Sequence, residues 1–105
     1  QGLLEPTYED RMVGEAEVRM VIRVPRVGNI AGSAVISGTI QRRAKARVLR
    51  MGQVIADNLS VASLKRFEED VREVRTGFEC GIALDGFQDY QEGDRIQFFV
   101  RERSN

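Results

Sequence analysis

The chain has 105 residues, enough for one domain and too few for two. Its 16 Lys and Arg residues are balanced by 16 Asp and Glu, so a globally basic coat for nucleic acid is excluded, and any polyanion must be met by a local patch. No histidine and a single cysteine leave no disulfide, no histidine base, no Cys-His nucleophile pair and no zinc-finger spacing.

Hydrophobic residues make up 42% of the chain, but only 7% are aromatic and none is tryptophan, so the core is expected to be aliphatic. No apolar run approaches the roughly 18 residues of a membrane span. The opening residues QGLLEPTYED lack the layout of a signal peptide. A cytoplasmic location with reduced Cys80, no membrane partner and a monomeric state is the expectation. A start at Gln1 suggests a domain cut from a longer protein or a processed start.

In chain order, residues 1–11 carry Pro6 and a polar stretch, which reads as a linker or the end of a preceding helix, with the barrel domain at 12–105. From Gly14 the period becomes two. Ala16, Val18, Met20, Ile22 and Val24 form the apolar face of a half-buried strand. Pro25 and Gly28-Asn29 mark a turn, Ile30 to Ile36 a second strand, and Ser37-Gly38 a break. Short strands follow at Thr39 to Gln41, Ala46 to Arg50, Gln53 to Leu59 and Val61 to Phe67, separated at Met51-Gly52 and Asp57-Asn58. Glu68 to Arg72 is expected as one helical turn or a loop, then a run from Val74 to Leu84. The last strand is Arg95 to Arg101, introduced by Gln91-Glu92-Gly93-Asp94. Many short strands with frequent turns indicate an all-β fold, and closure into a small barrel removes the exposed edges.

Three groups of residues invite a chemical reading. Cys80 lacks a base to hold it as thiolate, so a core or pocket-wall role outweighs a nucleophilic one. Glu68, Glu69 and Asp70 resemble a metal or acid-base cluster, but they lie among Lys65, Arg66, Arg72 and Arg75, as on a solvated surface. Neither phosphate-loop glycine pattern is present. Arg42, Arg43, Lys45 and Arg47 form a basic run without an acid, and Lys65-Arg66-Phe67 sets two cations beside a ring. Cations beside a ring suit phosphates and unpaired bases, although a basic turn is more often a solvated loop.

The order of the pieces carries further information. Residues 24–32 (VPRVGNIAG), Gly38-Thr39-Ile40, residues 63–74 (SLKRFEEDVREV), residues 77–81 (GFECG) and Glu92-Gly93-Asp94 resemble the C-terminal domain of bacterial translation initiation factor 2, over residues 12–103. The resemblance implies a small closed antiparallel barrel like the second domain of elongation factor Tu. It implies recognition of formylmethionyl initiator tRNA through its aminoacylated 3′ CCA end, with the ribosome met through the full-length factor. It implies no chemistry and no cofactor in this domain, with GTP binding and hydrolysis in another. Carried over by position, the tRNA-binding residues are Ser33, Lys65, Arg66, Phe67, Glu79, Cys80 and Gly81. Position 33 is often cysteine and position 67 often tyrosine in that family. Arg47 and Arg50 are weaker candidates. The Glu79 carboxylate is expected to be tied to Lys65, Arg66 or a backbone donor. The rival reading is a protein-docking barrel of a ribosome-associated translational GTPase, and a small enzyme using Cys80 or the acidic cluster is a distant third.

Overall fold

The alternating apolar pattern near the N-terminus becomes a long strand, β1 (Thr7–Val24), that turns at Pro25 and returns as β2 (Gly28–Gln41). The chain continues through β3 (Lys45–Arg50), β4 (Gln53–Arg66), the short β5 (Glu69–Asp70) and β6 (Glu73–Arg75), β7 (Glu79–Leu84) and β8 (Arg95–Ser104). This computed structural model describes residues 7–25, 28–67 and 69–104.

Six strands run β1-β8-β3-β4-β7-β2, and β2 closes back on β1, so no long edge is left open. Every strand pairing among the described residues is antiparallel. β5 sits outside on β4 and β6 outside on β2. The expected all-β closed barrel is the observed architecture. Among the described residues no helix is long and apolar enough to cross a membrane.

The interior is aliphatic, as the composition implies. Val18, Ile40, Val48, Leu64, Ile82 and Ile96 are buried around the ring of Phe98. One end is closed by the segment before β8, where the Tyr90 hydroxyl accepts the Leu84 N–H at 2.7 Å and its ring meets Phe87 edge-on. Burial raises the Tyr90 pKa, partly offset by that backbone hydrogen bond. Beside it the buried carboxylate of Asp94 accepts two bonds from Arg50, each of 2.9 Å, and one from the Gln91 N–H at 3.0 Å. The Arg50 pKa is raised, chiefly by this hydrogen bonding to Asp94. Arg50, a weaker candidate for RNA contact on sequence, is thus a strut between β3 and the final loop.

Four local expectations need correction. Residues 7–11, expected as a linker or helix end, are strand, because they pair with residues 100–104 of β8 and extend the barrel wall as a two-stranded ribbon. Residues 1–6 lie outside the described residues. Ser37-Gly38 does not end a strand: β2 carries a bulge at Ile36, and Gly38, at φ +64, lets the ladder continue. Asp57-Asn58 is likewise a bulge opposite Arg47, with Asn58 at φ +54 and its N–H held by Asp57 Oδ1 at 2.7 Å. The segment expected as one helical turn or a loop instead folds back as β5 and pairs with Lys65 and Arg66; its residue Glu68 lies outside the described residues.

A further bulge reverses a face. Val18 lies opposite Ser33 but Met20 lies opposite Gly32, which leaves Arg19 as the extra residue. Beyond it the phase inverts. Met20 is 54% and Ile22 42% exposed, while Val21 packs against the core. The expected apolar face holds for Ala16 and Val18 and fails for Met20 and Ile22, because one added residue turns every later side chain over.

Candidate functional site

The three strands β2, β7 and β4 lie side by side, with Gly32 opposite Gly81 and Gly81 opposite Lys65. Two glycines in one row remove the side chains that would cover this face, leaving a trough in the barrel's outer wall. Its walls come from neighbours. A Cβ on Gly32 would stand 2.7 Å from Met20 Cγ, and one on Gly81 3.1 Å from Ile30 Cγ2. The trough is therefore as wide as glycine allows. Its volume is about 710 Å³.

All seven residues carried over by position line this one groove. They do so in different ways. Ser33 and Cys80 are neighbours across the β2–β7 ladder and point inward; both are buried, and the Ser33 hydroxyl donates to the Ala31 carbonyl at 3.2 Å. They form the floor from beneath. Lys65 and Glu79 are exposed at the rim, and Gly81 supplies bare backbone. Phe67 ends β4 with φ +51, a conformation a bulky side chain rarely adopts, and its ring is 88% exposed.

Arg66 is held by three contacts. Its guanidinium carbon lies 5.1 Å from the Phe67 ring centre and 4.7 Å from that of Phe78, and Nε donates to the Glu79 main-chain carbonyl at 3.1 Å. Two rings and one carbonyl hold the fork, and among the described residues neither terminal nitrogen has a partner. The expectation for Glu79 is not met. Arg66 takes the backbone oxygen, and among the described residues the Glu79 carboxylate has no ion pair, because β7 turns it toward solvent.

Burial pushes the Cys80 thiol up to about 12, with Arg66 lowering it and Glu79 raising it further. At neutral pH the side chain is a neutral thiol, so the nucleophile reading loses its support. Of the acidic cluster, Glu69 and Asp70 are exposed in β5, and among the described residues no group of three potential metal ligands is gathered. Arg47, the other weaker candidate, lies over the Phe99 ring at 4.5 Å and binds Asp57 at 3.1 Å, away from the groove. That hydrogen bond is the main reason the Asp57 pKa is lowered, and the Asn58 N–H adds to it.

Sequence reasoning missed Met20, Ile22 and Phe78 as groove walls. The first two were assigned to the core by an unbroken period. Phe78 stood inside a matched motif, but nothing local indicates that it stacks on Arg66 from the turn before β7.

Comparison with known proteins bears on the whole chain. No family model matches it. Translation initiation factor IF-2 of Syntrophus aciditrophicus (strain SB) is 48% identical to it over 103 residues, 98% of the chain. Across its length the chain is a homologue of a segment of translation initiation factor IF-2. It spans 11% of that protein's length, a domain-sized piece consistent with the C-terminal domain of IF-2. The IF-2 resemblance read from separate motifs thus extends through the strands between them, including those that carry no groove residue.

Proposed function

We propose that the groove binds formylmethionyl initiator tRNA through its aminoacylated 3′ end during bacterial translation initiation. The observation that carries the reading is the convergence of Lys65, Arg66, Phe67, Glu79, Cys80, Gly81 and Ser33 on one trough, with the Arg66 fork held between two rings. The IF-2 homology supports the setting. The chain acts as a binding domain. Any GTP hydrolysis belongs to other parts of the full-length factor, through which the ribosome is also met.

The chemistry divides along the trough. Lys65 and Arg66 neutralise the phosphates of the CCA end, and the exposed Phe67 ring offers a stacking face to an unpaired base. Met20, Ile22 and Phe78 supply apolar surface for the methionyl side chain, where a thioether packs well against methionine and an aromatic ring. Bare backbone at Gly32 and Gly81 lets the formyl amide approach the strands. Formylation replaces an ammonium by a neutral amide, so entry no longer requires stripping water from a charge, a cost of several kcal/mol when no partner compensates.

The test is protection of the formylmethionyl ester against spontaneous hydrolysis, with unformylated methionyl-tRNA as control. Selective protection is expected. Arg66→Ala and Arg66→Lys should both weaken it, since an ammonium keeps the charge but cannot stack as a plane between Phe67 and Phe78. No protection of either tRNA at high chain concentration would refute the reading. A second reading, a protein-docking barrel, is favoured by the β3–β4 hairpin, where Met51 is 98%, Val54 50% and Ile55 40% exposed. In that case altering this hairpin, and not Arg66, would abolish the function.

A further inference from the structure

A second groove, of about 530 Å³, is lined by Arg42, Arg43 and Arg72, with Gln41, Val61 and one carboxylate, Glu73. Its three arginines are exposed, and among the described residues none of them is ion-paired. On the β3–β8 side of the barrel the arginines are engaged: Arg47 with Asp57, Arg50 with Asp94, Arg101 with Asp10. On a chain of zero net charge, three arginines without an ion pair among the described residues thus share one groove. Their positions are set by the fold. The Arg42 N–H donates to the Arg72 carbonyl at 2.9 Å, Arg42 Nη2 reaches the Ala62 carbonyl at 3.4 Å, and Arg43 Nε is held by Gln41 Oε1 at 2.9 Å.

Both grooves lie along β4: Val61 lines this one and Lys65 the first. Ala62, which anchors Arg42, is three residues before Lys65 on β4, about 10 Å at the rise of a strand. A nucleic-acid strand advances about 3.4 Å per nucleotide when stacked, so that distance corresponds to about three nucleotides. We infer that Arg42, Arg43 and Arg72 form a phosphate-binding groove that holds the RNA backbone on the 5′ side of the aminoacylated end. The inference rests on the initiator-tRNA reading and adds to it a second point of contact, outside the pocket for the amino acid.

The experiment compares two ligands, formylmethionyl-tRNA and a short formylmethionyl-CCA fragment, against the chain and its Arg42→Ala/Arg43→Ala/Arg72→Ala variant. The fragment reaches only the first groove, so its affinity should be the same for both proteins. Affinity for the whole tRNA should fall in the variant. Its salt dependence should weaken too: with about 0.7–0.9 in log-log slope per phosphate contact, a fourfold rise in salt should cost the unaltered chain about twenty- to fortyfold more affinity than the variant. The corresponding triple lysine variant should keep most of the slope, which a variant weakened by misfolding would not. Unchanged tRNA affinity and slope in the alanine variant would overturn the inference and leave the reading of the first groove intact. An equal loss for fragment and tRNA would also overturn it, by assigning the arginines to the first groove. If the unaltered chain fails to bind the fragment, the initiator-tRNA reading itself falls.

Discussion

Removing Arg50 should destabilise the barrel without touching the groove. The Asp94 side chain is 2% exposed and takes three hydrogen bonds, two of them from Arg50, whose own side chain is 24% exposed. Breaking a buried ion pair by deleting one partner costs about 3–5 kcal/mol, because a charge is left without compensation. Water can enter where the partly exposed Arg50 stood, and the Gln91 N–H still serves the carboxylate, so the expectation for Arg50→Ala is the lower end, about 3 kcal/mol. That is a large part of the roughly 5–15 kcal/mol that holds a domain of this size together. Urea unfolding followed by circular dichroism would show an earlier midpoint at unchanged slope, and heating would show a fall in Tm of roughly 12–24 °C. Replacing both partners by apolar residues, Arg50→Met with Asp94→Leu, should recover most of the loss, since neither charge then remains. Ligand affinity measured well below the new Tm should be unchanged. A cost under about 1 kcal/mol for Arg50→Ala would refute the claim that this pair ties the final loop to β3, and so would a double variant as unstable as the single one.

Two other perturbations follow from the groove. The neutral Cys80 thiol, whose pKa stands near 12 when folded against an ordinary 9.0, contributes stability that is complete below pH 9 and is lost as pH rises toward 12. Cys80→Ala should flatten the alkaline arm of a stability-pH curve over that interval, and alkylation at pH 8 should be slow in the native chain and fast in urea. Phe67→Gly should leave stability unchanged or raise it by up to about 1 kcal/mol, because glycine adopts the left-handed conformation without strain. The same change should weaken tRNA binding. A Phe67→Gly variant that unfolds earlier would show the ring to be structural.

Periodicity carried the fold a long way. An aliphatic core, turns at Met51-Gly52 and before β8, and too many strands to leave edges open were all legible as a closed barrel. What was not legible was phase. Ser37-Gly38 and Asp57-Asn58 contain residues that tolerate positive φ, which serves a turn and a bulge equally, and only the partner strand determines whether the ladder resumes. Residues 7–11 carry no strand pattern of their own, since their pairing depends on residues some ninety positions away in β8. For the groove, the motifs marked the residues that face the ligand, and β1 supplied walls that no motif contained. The stacking of Arg66 on Phe78 joins β4 to the turn before β7, a contact that exists only after the barrel has closed.

The extra residue at Arg19 has a consequence for how this surface can change. Its side chain is an exposed arginine paired with Glu17, and it stands at the edge of the groove beside Met20. Its neighbours Val18 and Met20 face the consecutive residues Ser33 and Gly32, so the ladder needs nothing from position 19 to stay in step. Loss of that single residue would join Val18 directly to Met20 and leave a regular ladder in which Met20 and Ile22 still form a lip outside the barrel. Loss of Val21 instead would place Ile22 directly after Met20 and swing it inward, against an interior already filled by Phe98 and its aliphatic neighbours. Length is therefore free to change at the bulge and constrained just beyond it.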